Sequence, residues 1–239
     1  MDADTLATTA SSTAAGGEVM PWHSPETDAI LESMPRKQKR QKLIYNVAEN
    51  DAEFCIGCIM DGKIIRHGAY AAWINMLQRC YGESYRSARK QYLQVSLDPA
   101  WHKFSAFYAW WKPRYRTGWH LDKDLLIPGN QVYGPSTCVY IPKELNNFTV
   151  GRDCKRGDLP IGVSWDKQHG KYMSRANDSK GKYLFLGLYD DPMEAHEAWF
   201  FKKLEIALEY KGLCDSIHPD LYRGVQRKLL FIHREQLAA

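Results

Sequence analysis

Residues 159–189, LPIGVSWDKQHGKYMSRANDSKGKYLFLGLY, followed at 190–210 by DDPMEAHEAWFFKKLEIALEY, decide the fold. Turn signals at His169-Gly170 and Ser179-Lys180-Gly181 divide the first segment into three short strands. Asp190 or Asp191 ahead of Pro192 marks a helix start, with the Asp as N-cap and Pro in the first turn. Side chains alternate across a strand, so Lys171, Met173, Arg175 and Asn177 share one face and Tyr172, Ser174 and Ala176 the other. In the third strand Leu184, Leu186 and Leu188 alternate with Tyr183, Phe185 and Tyr189, and the leucine row is expected to face the helix. Residues 159–189 carry five basic side chains against two acids, whereas 190–210 carry two against six. A basic sheet face opposite an acidic helix suits a sheet laid into a DNA groove, where Arg reads guanine and Asn adenine.

Working outward, residues 118–150 read as strand, polar loop, second strand and a short helix after Pro142, a ββα unit. The polar stretch GRDCKRGD at 151–158 is the expected boundary between this module and the sheet. Farther upstream, Trp73, Met76, Leu77 and Cys80 recur at the spacing of one buried helix face. Trp101, Phe104, Phe107, Tyr108 and Trp111 mark a second amphipathic helix whose aromatics read as core rather than as base-stacking groups. A basic extension over 211–239 ends in a further helix.

The net charge of +4 hides a division. Residues 1–34 hold six acids and no Lys or Arg, so the rest of the chain carries +10. With its Thr/Ala/Ser/Gly-rich start, the segment 1–34 reads as a disordered acidic tail. Residues 35–44 form a basic linker containing Arg36, Lys37, Lys39, Arg40 and Lys42. Such a body favours polyanions, of which nucleic acid is the commonest. No apolar run approaches a membrane span and no secretory signal opens the chain, so a cytoplasmic location is expected. The six cysteines read as reduced thiols. The Cys55-Ile-Gly-Cys58 pair supplies only two of the four ligands a structural zinc takes, so zinc is not expected.

The series IGVSWDKQHGKYMSRAND and YLFLGLYDDPMEAHEAWFFKK resembles the AP2 domain of plant transcription factors and phage homing endonucleases. The likeness rests on Gly-Val, a Gly-Lys-aromatic turn, Leu-Gly-x-aromatic and a Glu-Ala helix, over about fifty residues. It implies a three-stranded sheet in the major groove of double-stranded DNA, with Ser164, Lys167, His169, Lys171, Arg175, Asn177, Tyr183 and Phe185 at the contacting positions. Several Arg and Trp positions of the plant domains are occupied by other residues here, which separates any base preference from theirs.

The segments WINMLQRCY, LDKD, GNQVY, TCVYIP and LNN resemble a phage family of HNH-type endonucleases, often paired with an AP2 module. In that pattern the first strand reads Asp-His and the helix supplies a closing Asn. Here Asp122 takes the Asp position, Asn146 the closing Asn, and Lys123 stands where the His would be. The resemblance implies Mg²⁺ or another divalent metal on Asp122 and Asn146, with Lys123 or His120 assisting the attacking water. Lysine is a poor base near neutral pH unless its pKa is depressed.

The expected protein is α+β: a degenerate HNH-like module over 45–150, then an AP2-like sheet on one helix over 159–210. Its expected function is phage-type, metal-dependent DNA cleavage or nicking targeted by the sheet. A catalytically inactive DNA-binding regulator on the same scaffold, and a factor that engages a host protein, are the alternatives.

Overall fold

The computed structural model describes residues 23–36, 42–149 and 158–238, and the architecture there is α+β, with eight α-helices and several small sheets. Contacts divide the chain into two compact units, 1–117 with 131–136, and 118–130 with 137–239. The ββα segments thus group with the three-stranded sheet rather than with residues 45–117. Most of the basic linker, 37–41, and most of the expected boundary, 151–157, lie outside the described residues.

In the first unit, α1 spans Pro25–Ser33. This corrects the reading of 1–34 as one disordered tail, of which 1–22 lie outside the described residues. Ser24 and Thr27 form a capping box, Pro25 opens the first turn, and Leu31 is fully buried. Buried Asp28 accepts from the backbone N–H of Gly68 at 2.8 Å, the first residue of α2 (Gly68–Tyr81). A β1–β2 hairpin (Gly57–Met60, Lys63–Arg66) precedes α2, and α3 (Glu83–Ser87) follows it. Short parallel strands β3 (Ser96–Leu97) and β5 (Val132–Tyr133) flank α4 (Phe104–Trp111). Trp73, Met76, Leu77 and Cys80 are buried, as are Trp101, Phe104, Phe107 and Trp111. The helix-spaced aromatics are therefore core. Trp101 stands edge-on to Phe107 at 5.1 Å and to Trp110 at 4.8 Å, an arrangement the ring quadrupole favours.

In the second unit, β4 (Trp119–Asp122) pairs antiparallel with β6 (Val139–Pro142), and α5 (Lys143–Thr149) follows directly. The ββα unit read from the sequence is formed. Strands β7 (Val163–Asp166), β8 (Lys171–Asn177) and β9 (Tyr183–Tyr189) make an antiparallel sheet in that order. It lies on α6 (Pro192–Glu209), whose cap Asp191 accepts from the N–H groups of Met193 and Glu194. Helices α7 (Lys211–Ile217) and α8 (Leu221–Leu237) complete the unit.

One core holds both halves of this unit. Leu125, Val139, Ile141 and Leu145 of the ββα part share a cluster with Trp199, Phe200 and Ile206 of α6 and Leu221, Val225 and Leu229 of α8. Two glycines set the closest approaches. At Gly224 an added Cβ would lie 2.2 Å from the carbonyl oxygen of Leu125, so α8 meets the loop after β4 backbone to backbone. At Gly162, φ is +86° and an added Cβ would lie 2.1 Å from Cγ of Trp199, so only glycine lets the chain enter β7 beneath that ring.

Candidate nucleic-acid interface

Register fixes which side chains leave the sheet. Val163 pairs with Ser174, and both are buried against α6 together with Ala176. Ser164 pairs with Met173, Arg175 with Phe185 and Asn177 with Tyr183, which places these residues on the opposite, outer face. Between Ser174 and Arg175 the register slips, so Leu186 is an extra residue in β9. Gly187 follows at φ +140°, a conformation glycine tolerates and a bulge uses.

The bulge corrects the alternation read from the sequence. Leu184 and Leu186 pack toward the helix core, but Leu188 pairs with Met173 on the outer face. Tyr189 crosses to the helix side, where it pairs with Tyr172 and donates its hydroxyl to the Leu186 carbonyl at 3.2 Å. A Gly lets the strand slip by one residue, and every side chain beyond it changes face.

The outer face is uneven along its length. At the end nearer the β7–β8 turn, Lys171 donates to Asp190 at 3.0 Å and His169 pairs with Asp166 at 2.7 Å. The His169 hydrogen bond holds the Asp166 carboxyl below its usual range. Toward the other turn, Arg175 and Asn177 are exposed and their side chains have no hydrogen-bond partner among the described residues. Tyr183 and Phe185 flank them at 51% and 57% exposure, and the Tyr183 hydroxyl donates to the Met173 sulfur at 3.6 Å. Lys180 and Lys182 in the β8–β9 turn are exposed as well. They were not singled out from sequence, although the Lys-Gly-Lys turn was there to read. Lys167 is exposed in the β7–β8 turn. Ser164 is half-buried, and its hydroxyl is buried with no hydrogen-bond partner among the described residues.

The ββα residues are arranged differently. Asp122 Oδ1 accepts from the backbone N–H groups of Asp124 at 2.9 Å and Leu125 at 2.6 Å, closing the turn after β4. Burial, and then the neighbouring Asp124 carboxylate, push the Asp122 carboxyl above its usual range. Lys123 donates to the Asn130 carbonyl at 3.0 Å and lies 3.6 Å from Asp124, which also meets Lys228 of α8 at 3.3 Å. Asn146 donates from its amide to Nδ1 of His120 at 3.1 Å. The structure thus brings His120 and Asn146 together and commits Asp122 and Lys123 to the turn.

The divalent cation that the HNH resemblance implies would draw on Asp122 and Asn146, both already hydrogen-bonded within the fold. The Asp122 carboxylate takes both N–H groups on Oδ1, and Mg²⁺ is held through ionised carboxylates. Among the described residues no group of three or more His, Cys, Asp or Glu side chains is placed to hold a metal ion. Of the knuckle pair, Cys55 donates to the Gly57 carbonyl at 3.1 Å. No described helix is long and apolar enough to cross a membrane. Comparison with protein-family models, with curated proteins and with solved structures finds no match for this chain.

Proposed function

We propose that this chain binds double-stranded DNA through the outer face of β7–β9, and that the ββα unit supports that surface rather than cutting the DNA. The observation that carries the reading is Arg175 and Asn177, solvent-exposed, without side-chain partners among the described residues, and set between Tyr183 and Phe185. Arg and Asn in this state keep their donor and acceptor pairs for base edges, and the two rings offer apolar contact to thymine methyls and sugars. Lys180, Lys182 and Lys167 at the two turns supply phosphate contacts.

Fluorescence anisotropy with a mixed-sequence duplex at a series of salt concentrations tests this. Affinity falls steeply with salt, because each phosphate contact releases counterions, and Arg175→Ala weakens it further. A shallow salt slope, or full affinity in Arg175→Ala, overturns the reading. The His120–Asn146 pair is the one observation favouring the catalytic alternative. Supercoiled plasmid incubated with Mg²⁺ or Mn²⁺ stays intact on the present reading. Nicking that vanishes in Asp122→Ala would replace it with a nuclease, and recovery of a host protein without DNA would replace it with a protein-binding factor.

A further inference from the structure

A cavity of about 650 Å³ is lined by residues of β7–β9, among them Arg175, Asn177 and Tyr183, and by residues of the β8–β9 turn, α5, α6 and α8. Lys203, on α6, lines it and is itself 7% exposed. Its position is set by the buried stripe of the helix, since Trp199 lies one turn before it, and Ile206 and Ala207 about one turn after, all buried. A lysine on such a stripe ordinarily finds a carboxylate. This one makes no salt bridge among the described residues. Its Nζ donates to the Phe148 carbonyl at 2.8 Å and lies 3.4 Å from the centre of the Phe148 ring and 5.9 Å from that of Trp199.

Among the described residues the Phe148 carbonyl is the one oxygen that accepts from this Nζ, and no carboxylate pairs with it, so burial weighs against the charged form. Burial lowers the Lys203 pKa to about 7. An amine with that pKa is half neutral at pH 7, against a few parts in ten thousand for an ordinary lysine near 10.4. Desolvated lysines are the side chains that form Schiff bases with carbonyl compounds.

We propose that Lys203 is a covalent, reversible binding site for a small aromatic aldehyde, held in this cavity against Phe148, Trp199 and Tyr210. The Nζ lone pair attacks the carbonyl carbon and forms the C–N bond. Both amine hydrogens leave with the carbonyl oxygen as water, so the product is an imine and no oxidant or reductant takes part. Hydrolysis reverses the step and releases the ligand. A lysine that only caps the end of α5 through the Phe148 carbonyl would need no such cavity beside it.

The test uses the full chain and salicylaldehyde at pH 7, with borohydride to reduce the imine and peptide mapping to locate the adduct. The expected result is one dominant adduct on Lys203, at least about tenfold above any other lysine, given the difference in neutral fraction. The selectivity disappears when the same reaction is run in denaturant, and it falls at pH 10, where surface amines lose their protons. Lys203→Met loses that adduct and keeps the background labelling of exposed residues such as Lys167 and Lys180. If this variant does not fold, the comparison of native with denatured wild type decides instead. Label spread over exposed lysines with Lys203 unmodified, or the same distribution in denaturant, overturns the proposal.

Discussion

The second unit carries two polar constellations, on the outer face of β7–β9 and around β4 and α5, and their side chains are spent in opposite ways. On the sheet, the side chains of Arg175 and Asn177 are exposed and have no hydrogen-bond partner among the described residues. Around β4, Asp122 closes a turn, Lys123 holds a carbonyl and Asn146 holds His120. Groups already satisfied within the fold have little left to offer a ligand, and removing one leaves its partner stranded. Unspent groups at a surface cost the fold nothing when removed, so their loss shows only when a ligand is present.

The widest break in this comparison comes from the glycines that join the two constellations into one unit. Gly162→Ala places a methyl group against the Trp199 ring at a left-handed backbone position, and Gly224→Ala places one against the Leu125 carbonyl. Overpacking and backbone strain together are expected to cost roughly 3–5 kcal/mol at Gly162, and somewhat less at Gly224, where φ lies outside the left-handed range. Denaturant melts of the full chain measure both. A loss under about 1 kcal/mol at either site would mean that the helix and its neighbour can separate freely, against the single shared core.

A smaller effect separates the constellations themselves. Arg175→Ala is expected to leave the denaturation midpoint unchanged and to weaken duplex binding by about tenfold or more, the usual worth of one base-reading Arg. Asp122→Ala is expected to do the reverse: it loses about 1–2 kcal/mol of stability by stranding two N–H groups in a turn, and it leaves affinity intact. Equal loss of affinity in both variants would mean that the two constellations serve DNA alike.

Sequence alone made the sheet legible because alternation and turn glycines are local signals. Lys171 through Asn177 took the predicted faces, and so did Tyr183 and Phe185. It failed at Leu188 and Tyr189, since Gly187 announces a possible bulge but not which side of it the register will slip. Helix α1 was missed because composition was read over all of 1–34, although Ser24, Pro25 and Thr27 spell a helix start. Residues of the expected nuclease site were found by resemblance, yet their uses depend on contacts with Asn130 and Lys228, which no local pattern encodes. Lys203 was within reach, because its spacing from Trp199 put it on the buried stripe of α6.

The pH dependence of Asp122 sharpens the contrast further. Its carboxyl is raised in the folded state, so the stability it contributes is fully present below the unfolded value of about 3.9 and is lost as pH rises through the folded value. Above that range the ionised form is a largely desolvated charge. Asp122→Asn keeps an oxygen for the two N–H groups and removes that charge. The variant is expected to match or exceed wild type in stability at pH 7 and to lose this advantage in acid, as shown by denaturation at a series of pH values. A variant less stable than wild type at pH 7 would show that the charge itself is needed, as a metal site would require.

The smallest effect concerns charges on the sheet face, and it tests whether pairing, rather than mere presence, decides what a cation contributes. Lys167 has no ion pair among the described residues, whereas Lys171 is held by Asp190 at 3.0 Å. A lysine that contacts a phosphate adds about 0.9 to the slope of log affinity against log salt. Lys167→Ala is therefore expected to lower that slope by about 1. Lys171→Ala is expected to lower it by less, because the Asp190 carboxylate already neutralises that ammonium and must be displaced before a phosphate can take its place. Replacing Asp190 by Asn frees Lys171, and the slope should then rise toward the value of one added phosphate contact. Equal slopes for Lys167→Ala and Lys171→Ala would mean that the exposed Lys171–Asp190 pair opens at no cost on DNA, and the unevenness of the face would then have no bearing on how it binds.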